Sequence, residues 1–278
     1  MGNQPTATAL PTSPVDGLQV VTGQACLVAE QGIIRVEEPQ GDLVAWSPVA
    51  DTLAYIASTH GSTWNVGELT VISAPAFDAP VRLASQAAGE LSWSPGGITI
   101  AYLSLRRSDN LYTIGLVNPD GRNLRDLFPD EAARTDSFSS QKAIQGWVDD
   151  VRLQVLASCG VDCMQRLDFG ILTGLSTPSG DPIQRASDLW SVHKYQPAMF
   201  PEVLDKLGSQ LNWSVDLSRA AYIDDNGNTW VIDPQTNTLL MLDTGAYGSA
   251  TESDWSYDGK YLAVRVDETL KIFSFECP

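Results

Sequence analysis

This chain is short of positive charge: its 278 residues hold 17 Lys and Arg against 34 Asp and Glu, a formal net charge of −17. Such an excess repels a phosphate backbone, so nucleic acid is not an expected partner. Histidine is scarcer still, with only His60 and His193. Two imidazoles in unrelated segments leave little material for a Ser-His relay or a metal-assisted hydrolysis. No apolar run reaches the roughly 18 residues that a membrane-spanning helix needs. Helical periodicity is nearly absent, and the best candidate is the short stretch from Pro201 to Leu207 before Gly208. The nucleophile elbow G-x-S-x-G is missing as well, since Gly174-Leu175-Ser176-Thr177-Pro178 fails at its last position. Adjacent carboxylates such as Asp149-Asp150 and Asp224-Asp225 point to opposite faces of a strand and make no ready glycosidase pair. No cofactor motif is read. What remains is ample core material, 43% hydrophobic residues.

Cysteine is limited to positions 26, 159, 163 and 277. An even count in an acidic, Thr/Pro-tailed chain suggests an oxidising compartment. Cys159 and Cys163 enclose three residues, a spacing that suits a hairpin disulfide and also half of a structural zinc site. The second half of such a site is missing, so a disulfide is the favoured reading and no metal is expected.

From residue 17 onward, apolar stretches of five or six residues alternate with turn signals such as Asn118-Pro119-Asp120-Gly121 and Tyr257-Asp258-Gly259. Internal repetition is the strongest feature. Ala45-Trp46-Ser47-Pro48 leads to Leu53-Ala54-Tyr55-Ile56, and Ser92-Trp93-Ser94-Pro95 leads to Ile100-Ala101-Tyr102-Leu103. Asn212-Trp213-Ser214 leads to Ala220-Ala221-Tyr222-Ile223, and Asp254-Trp255-Ser256 leads to Leu262-Ala263-Val264. Gly146-Trp147-Val148 is a weaker copy. The Trp-to-Trp intervals are 47, 54, 66 and 42 residues, bracketing the roughly 40–50 residues of a four-stranded propeller blade. One blade cannot bury both faces, so several must stack. Each Trp is expected to pack between neighbours.

The Trp-Ser-Pro…Ile/Leu-Ala-Tyr pattern over about residues 41–275 resembles the repeat of TolB-like propellers, also described as WD40-like. That resemblance implies an all-β propeller and says little about activity, because the repeat residues are packing residues. Residues 25–40 read much like 220–235 and supply a sixth copy, with Leu18-Gln19-Val20-Val21 as its inner strand. Six blades are therefore favoured. The alternative is five, with the N-terminal hairpin completing the last one. Either way the chain ends meet at the ring closure, which suggests a Cys26–Cys277 disulfide. Residues 1–16 read as a flexible Pro/Thr-rich tether to a single propeller domain over 17–278, interrupted by an insertion at about 176–210. The tether resembles the linker of bacterial surface lipoproteins, and a lipid anchor upstream of this sequence is the one expected route to a membrane.

Strand order sends the loops between second and third strands, and those entering each Trp strand, to one face. His60, Trp64, Arg106, Arg107, Trp190, His193 and Tyr195 fall there and form the candidate binding surface for a protein partner or small ligand. The expected function is an extracytoplasmic, non-catalytic binding or scaffold module. The alternative is a propeller hydrolase acting on glycans, with carboxylates in the central channel.

Overall fold

The computed structural model describes residues 18–23, 25–34, 42–59, 66–106, 111–127, 142–160, 163–180, 211–242 and 250–277. All regular structure among them is β-strand. Two short strands come first, β1 (Gln19–Val21) and β2 (Cys26–Gly32). Then one antiparallel unit recurs. The first unit is β3 (Val44–Trp46), β4 (Thr52–Ala57), β5 (Gly67–Ser73) and the first half of β6 (Val81–Trp93). The second half of β6 opens the next unit with β7 (Ile100–Arg106), β8 (Leu111–Val117) and β9 (Arg125–Asp126). The third comprises β10 (Lys142–Asp149), β11 (Arg152–Gly160), β12 (Cys163–Gly170) and β13 (Ser176–Pro178). The fourth is β14 (Asn212–Trp213), β15 (Ala220–Ile223), β16 (Thr229–Asp233) and β17 (Thr238–Met241). The fifth contains β18 (Ala250–Trp255), β19 (Tyr261–Val266) and β20 (Thr269–Ser274).

The N-terminal strands do not make the sixth unit that the sequence favours. β1 pairs in parallel outside β17, and β2 pairs antiparallel with β20, from Cys26 opposite Ser274 to Gly32 opposite Thr269. The physical reason is the open edge of β20, which without β2 would expose a row of unpaired amides and carbonyls. The segment has no Trp-bearing inner strand of its own, and its strand β2 adds to the edge of the fifth sheet. A disulfide between Cys26 and Cys277, with Cα atoms 5.6 Å apart, fastens it there. Ser176–Pro178, expected to begin the insertion, instead forms the outer strand β13 against Leu167–Phe169. The helix candidate at 201–207 lies outside the described residues.

The Trp repeat is a clasp between units. Trp93 Nε1–H donates to the carbonyl of Ala45, Trp147 to Ser92, Trp46 to Asp254 and Trp255 to Asn212, at 2.9–3.2 Å. In every case the acceptor is the residue just before the neighbour's Trp. The units therefore touch in the order third, second, first, fifth, fourth. The serine after the Trp has its own task. Ser94, Ser214 and Ser256 are fully buried, and their Oγ atoms accept the amides of Thr99, Arg219 and Tyr261, which closes each turn into the second strand. The Ala of the second strand is fully buried at Ala54, Ala101, Ala221 and Ala263, which lets neighbouring sheets approach, while Tyr55, Tyr102 and Tyr222 fill the core. Asn212 also bridges units, since its side-chain amide donates to the Ser253 carbonyl of the fifth unit.

Glycine in the turns has a steric cause. Gly97 sits at φ +68°, and a Cβ there would lie 2.5 Å from Cγ2 of Val49 in the neighbouring turn. Gly259 has a similar φ of +71°, but its nearest neighbours would be 3.5 Å away. Gly97→Ala is therefore expected to cost about 2 kcal/mol in urea denaturation, against about 1 kcal/mol for Gly259→Ala, which meets backbone strain alone. Equal costs would show that the first two turns are not in contact.

Candidate functional site

Four carboxylates gather on the inner strands, at positions that the sequence reading passed over. Glu252 and Asp254 lie on β18, Glu90 lies in the second half of β6, and Asp42 precedes β3. Glu90 and Glu252 occupy the same place in their repeats, three residues before Trp93 and Trp255. Each reaches the next unit's inner strand. Glu252 Oε1 accepts the amides of Leu43 and Val44 at 2.9 and 3.0 Å, and Glu90 Oε2 accepts that of Ile144 at 2.6 Å. Asp254 Oδ2 accepts the Trp46 amide at 2.8 Å while its Oδ1 accepts that of Trp255 at 3.0 Å. The backbone carbonyl of Asp42 takes the Leu91 amide at 3.0 Å, linking the first unit to the second.

β6 positions Glu90 by bending. Its pairing slips between Ala87 and Gly89 and again between Gly89 and Ser92, where it leaves β5 and joins β7. Gln86 and Glu90 take left-handed backbone angles, φ +64° and +51°, at this corner. Such angles are costly for residues with a Cβ and persist only where the surroundings hold them.

Burial raises all three carboxyls, and the nearby charge of Asp42 adds to it. Glu252 is pushed up to about 8, Glu90 to about 7 and Asp254 to about 7, although the accepted amides pull the other way. Arg265 stands 3.9 Å from Glu252 Oε2 and lowers its value without reversing the shift. The group thus holds protons near neutrality in a set of oxygens already committed to backbone donors. Chemically it can bind neighbouring strands together.

Of the residues expected to form the binding face, only Arg106 falls within the described backbone, where it ends β7 opposite Leu111. The side chain of Arg106, together with His60, Trp64, Arg107, Trp190, His193 and Tyr195, lies outside the described residues. Cys163 is disulfide-bonded, and Cys159 lies on β11 with its side chain outside the description. No group of three or more His, Cys, Asp or Glu suited to a metal ion occurs among the described residues. Asp224 closes the turn Asp224-Asp225-Asn226-Gly227-Asn228. Its oxygens accept the amides of Asn226 and Asn228 and the indole N–H of Trp230.

A strand order in which each four-stranded sheet starts at an inner Trp strand and hands on to the next is that of a propeller. The chain is similar to TolB and other β-propellers. A protein of Agrobacterium tumefaciens assigned as a TolB shares 13% identity over 81% of this chain and 69% of its own, with a TM-score of 0.38. TolB of Acinetobacter baumannii shares 12% over 83% of this chain, with a TM-score of 0.37, and this chain spans about half of it, 53%. The Swd1 propeller domain of Myceliophteria thermophila shares 15% over 86% of this chain and 67% of its own, with a TM-score of 0.32. No family model matches the chain, and no curated protein does. The likeness is one of strand arrangement alone.

Proposed function

We propose that this chain is a non-catalytic binding or scaffold module, a single five-bladed propeller over residues 17–278 that works outside the cytoplasm. One observation carries the reading. The buried carboxyls most suited to chemistry, Glu90, Glu252 and Asp254, are each engaged by an amide of the neighbouring inner strand. The Cys26–Cys277 disulfide supports an oxidising compartment, where such bonds persist. The loop face bearing His60, Trp64, Arg106, Arg107, Trp190, His193 and Tyr195 is proposed to receive a protein partner or small ligand.

Protons held near neutrality on those same carboxyls favour the alternative, a glycan hydrolase, since a general acid needs one. One paired experiment separates the two. Affinity capture from an envelope extract is compared between the wild type and a variant with Arg106, Arg107 and Trp190 replaced by Ala. In parallel, glycan turnover is assayed for the wild type and Glu252→Gln. The expected result is a captured protein lost with the loop variant and no turnover by either chain. Turnover by the wild type that Glu252→Gln abolishes would overturn the proposal.

A further inference from the structure

The turns that join first to second strands lie together on one face, and each carries an exposed apolar side chain. These are Val49 (51% exposed), Ile98 (53%), Val151 (39%), Val215 (68%) and Tyr257 (39%), one from each unit. The turns also touch one another. Gly97 lies against Val49 and Ser47, Gly96 accepts no side chain because Asp150 fills the space and receives its amide, and Gly259 lies against Ser214 and Asp216. Burial and the charge of Asp258 raise the Asp51 carboxyl, which places the first and fifth turns side by side. The turns therefore form one row, and the apolar residues stand on it at the same place in each repeat, unlike single side chains scattered over a surface.

Outward from the third of these turns, Leu172 and Leu175 extend the apolar surface at 76% and 69% exposure, and Ile171 ties their turn to Val151 by a backbone bond. None of these side chains is required by the turn geometry, which the buried Ser and the Gly already supply.

Charge indicates the kind of partner. Within the five turns Asp51, Asp149, Asp150, Asp216 and Asp258 face Arg152, Arg219 and Lys260. Arg152 and Lys260 are tied to Asp149 and Asp258 of their own turns, at 2.7 and 3.3 Å, and Arg219 lies over the Phe275 ring at 4.7 Å. Hydrogen bonds from turn donors keep Asp149, Asp216 and Asp258 below the usual carboxylate range, so they stay charged. The five turns together carry five Asp against three cations, on a chain of net charge −17. A second copy of the chain, or an anionic lipid surface, would be repelled by it.

We propose that this turn face docks a protein segment carrying apolar side chains flanked by Lys or Arg. The inference rests on the binding-module reading but assigns a second surface and a partner chemistry to it. Leu172 and Leu175 offer the outer end of the seat, and the turn carboxylates meet the cations.

The test uses the full chain and three labelled amphipathic peptides that share one Leu/Val face and carry Lys, Glu or Ser on the other. Fluorescence anisotropy is expected to show binding of the Lys peptide only. Its affinity is expected to fall about tenfold in a variant with Ile98, Val215 and Tyr257 replaced by Ser, as truncation of an anchoring cluster does. Val215→Ser alone, at the most exposed of the five inner-turn residues, is expected to cost about threefold and keeps the test valid if the triple variant fails to fold. The loop variant with Arg106, Arg107 and Trp190 replaced by Ala is expected to bind the Lys peptide as the wild type does. Unchanged affinity in the Ser variants, or equal binding of the Glu peptide, would overturn the inference. So would sedimentation showing a dimer, or uptake by phosphatidylglycerol vesicles, lost in those same variants. Peptide binding abolished by the loop variant instead would sink this surface and leave the binding-module reading standing.

Discussion

Replacing both Cys26 and Cys277 by Ser is expected to lower stability in urea by about 5 kcal/mol, among the larger effects a disulfide can have. The size follows from the loop. The bond joins residues 251 apart in sequence, so nearly the whole described chain loses freedom in the unfolded state when the ends are tied. There is also a folded-state consequence. β2 is the outer strand on β20, held there besides the disulfide by its pairing from Cys26 to Gly32, the Glu30–Lys271 ion pair at 3.5 Å and the Ile33 amide donated to the Glu268 carbonyl. Loosening it would expose β20 as an edge strand. The double variant is accordingly expected to elute as a mixture of monomer and aggregate in size-exclusion chromatography, with the loss of stability read by equilibrium denaturation. A loss below about 1 kcal/mol would mean that β2 holds the sheet without help and that the unfolded chain gains little from release.

The second large effect is on pH. Glu252, Glu90 and Asp254 have folded values of about 8, 7 and 7, above their ordinary 4.5, 4.5 and 3.8. A folded state that keeps protons the unfolded state has lost is favoured at low pH, so their contribution is fully present below about pH 4 and fades as pH rises through 7 and 8. The groups facing them are few. Asp42 raises all three, Arg265 lowers Glu252, and the neighbouring amides lower each. At about 1.4 kcal/mol per pH unit for each such group, stability is expected to fall by several kcal/mol between pH 5 and pH 9. Asp216, Asp224 and Asp258 work in the opposite sense, since their values are lowered by turn hydrogen bonds and their contribution is lost as pH falls below the carboxylate range. The optimum should therefore lie near pH 5. Thermal unfolding from pH 4 to pH 9 reads this directly. Glu252→Gln, which keeps an oxygen for the Leu43 and Val44 amides, should flatten the alkaline side. A stability maximum above pH 7 would contradict the assignment.

The repeat was legible in the sequence because it is local chemistry. A Trp that clasps the previous sheet, a Ser that closes a turn and an Ala that permits close packing recur at fixed offsets, and all three did what the pattern required. The placement of residues 18–34 was less legible. As a sequence they match the hairpin at 220–235, but their partner is chosen by an open edge some 240 residues away, at β20. The inner carboxylates were missed for a similar reason. Glu252 meets Leu43 and Val44 across 209 and 208 positions, and no short motif records that. A signal did exist, since Glu90 and Glu252 stand at the same offset from their Trp residues. The apolar turn residues carry no motif either, and only exposure distinguishes Val215 from a core valine.

The central claim is that the inner carboxyls join neighbouring blades and are not held in reserve for chemistry. Site-resolved amide hydrogen exchange measures that most directly, comparing the wild type with Glu252→Ala and Glu90→Ala. The account predicts strong protection at Leu43, Val44 and Ile144 in the wild type, lost at Leu43 and Val44 in the first variant and at Ile144 in the second, with Trp46 still protected through Asp254. Exchange at those amides that is equally slow with and without the carboxyls would contradict it.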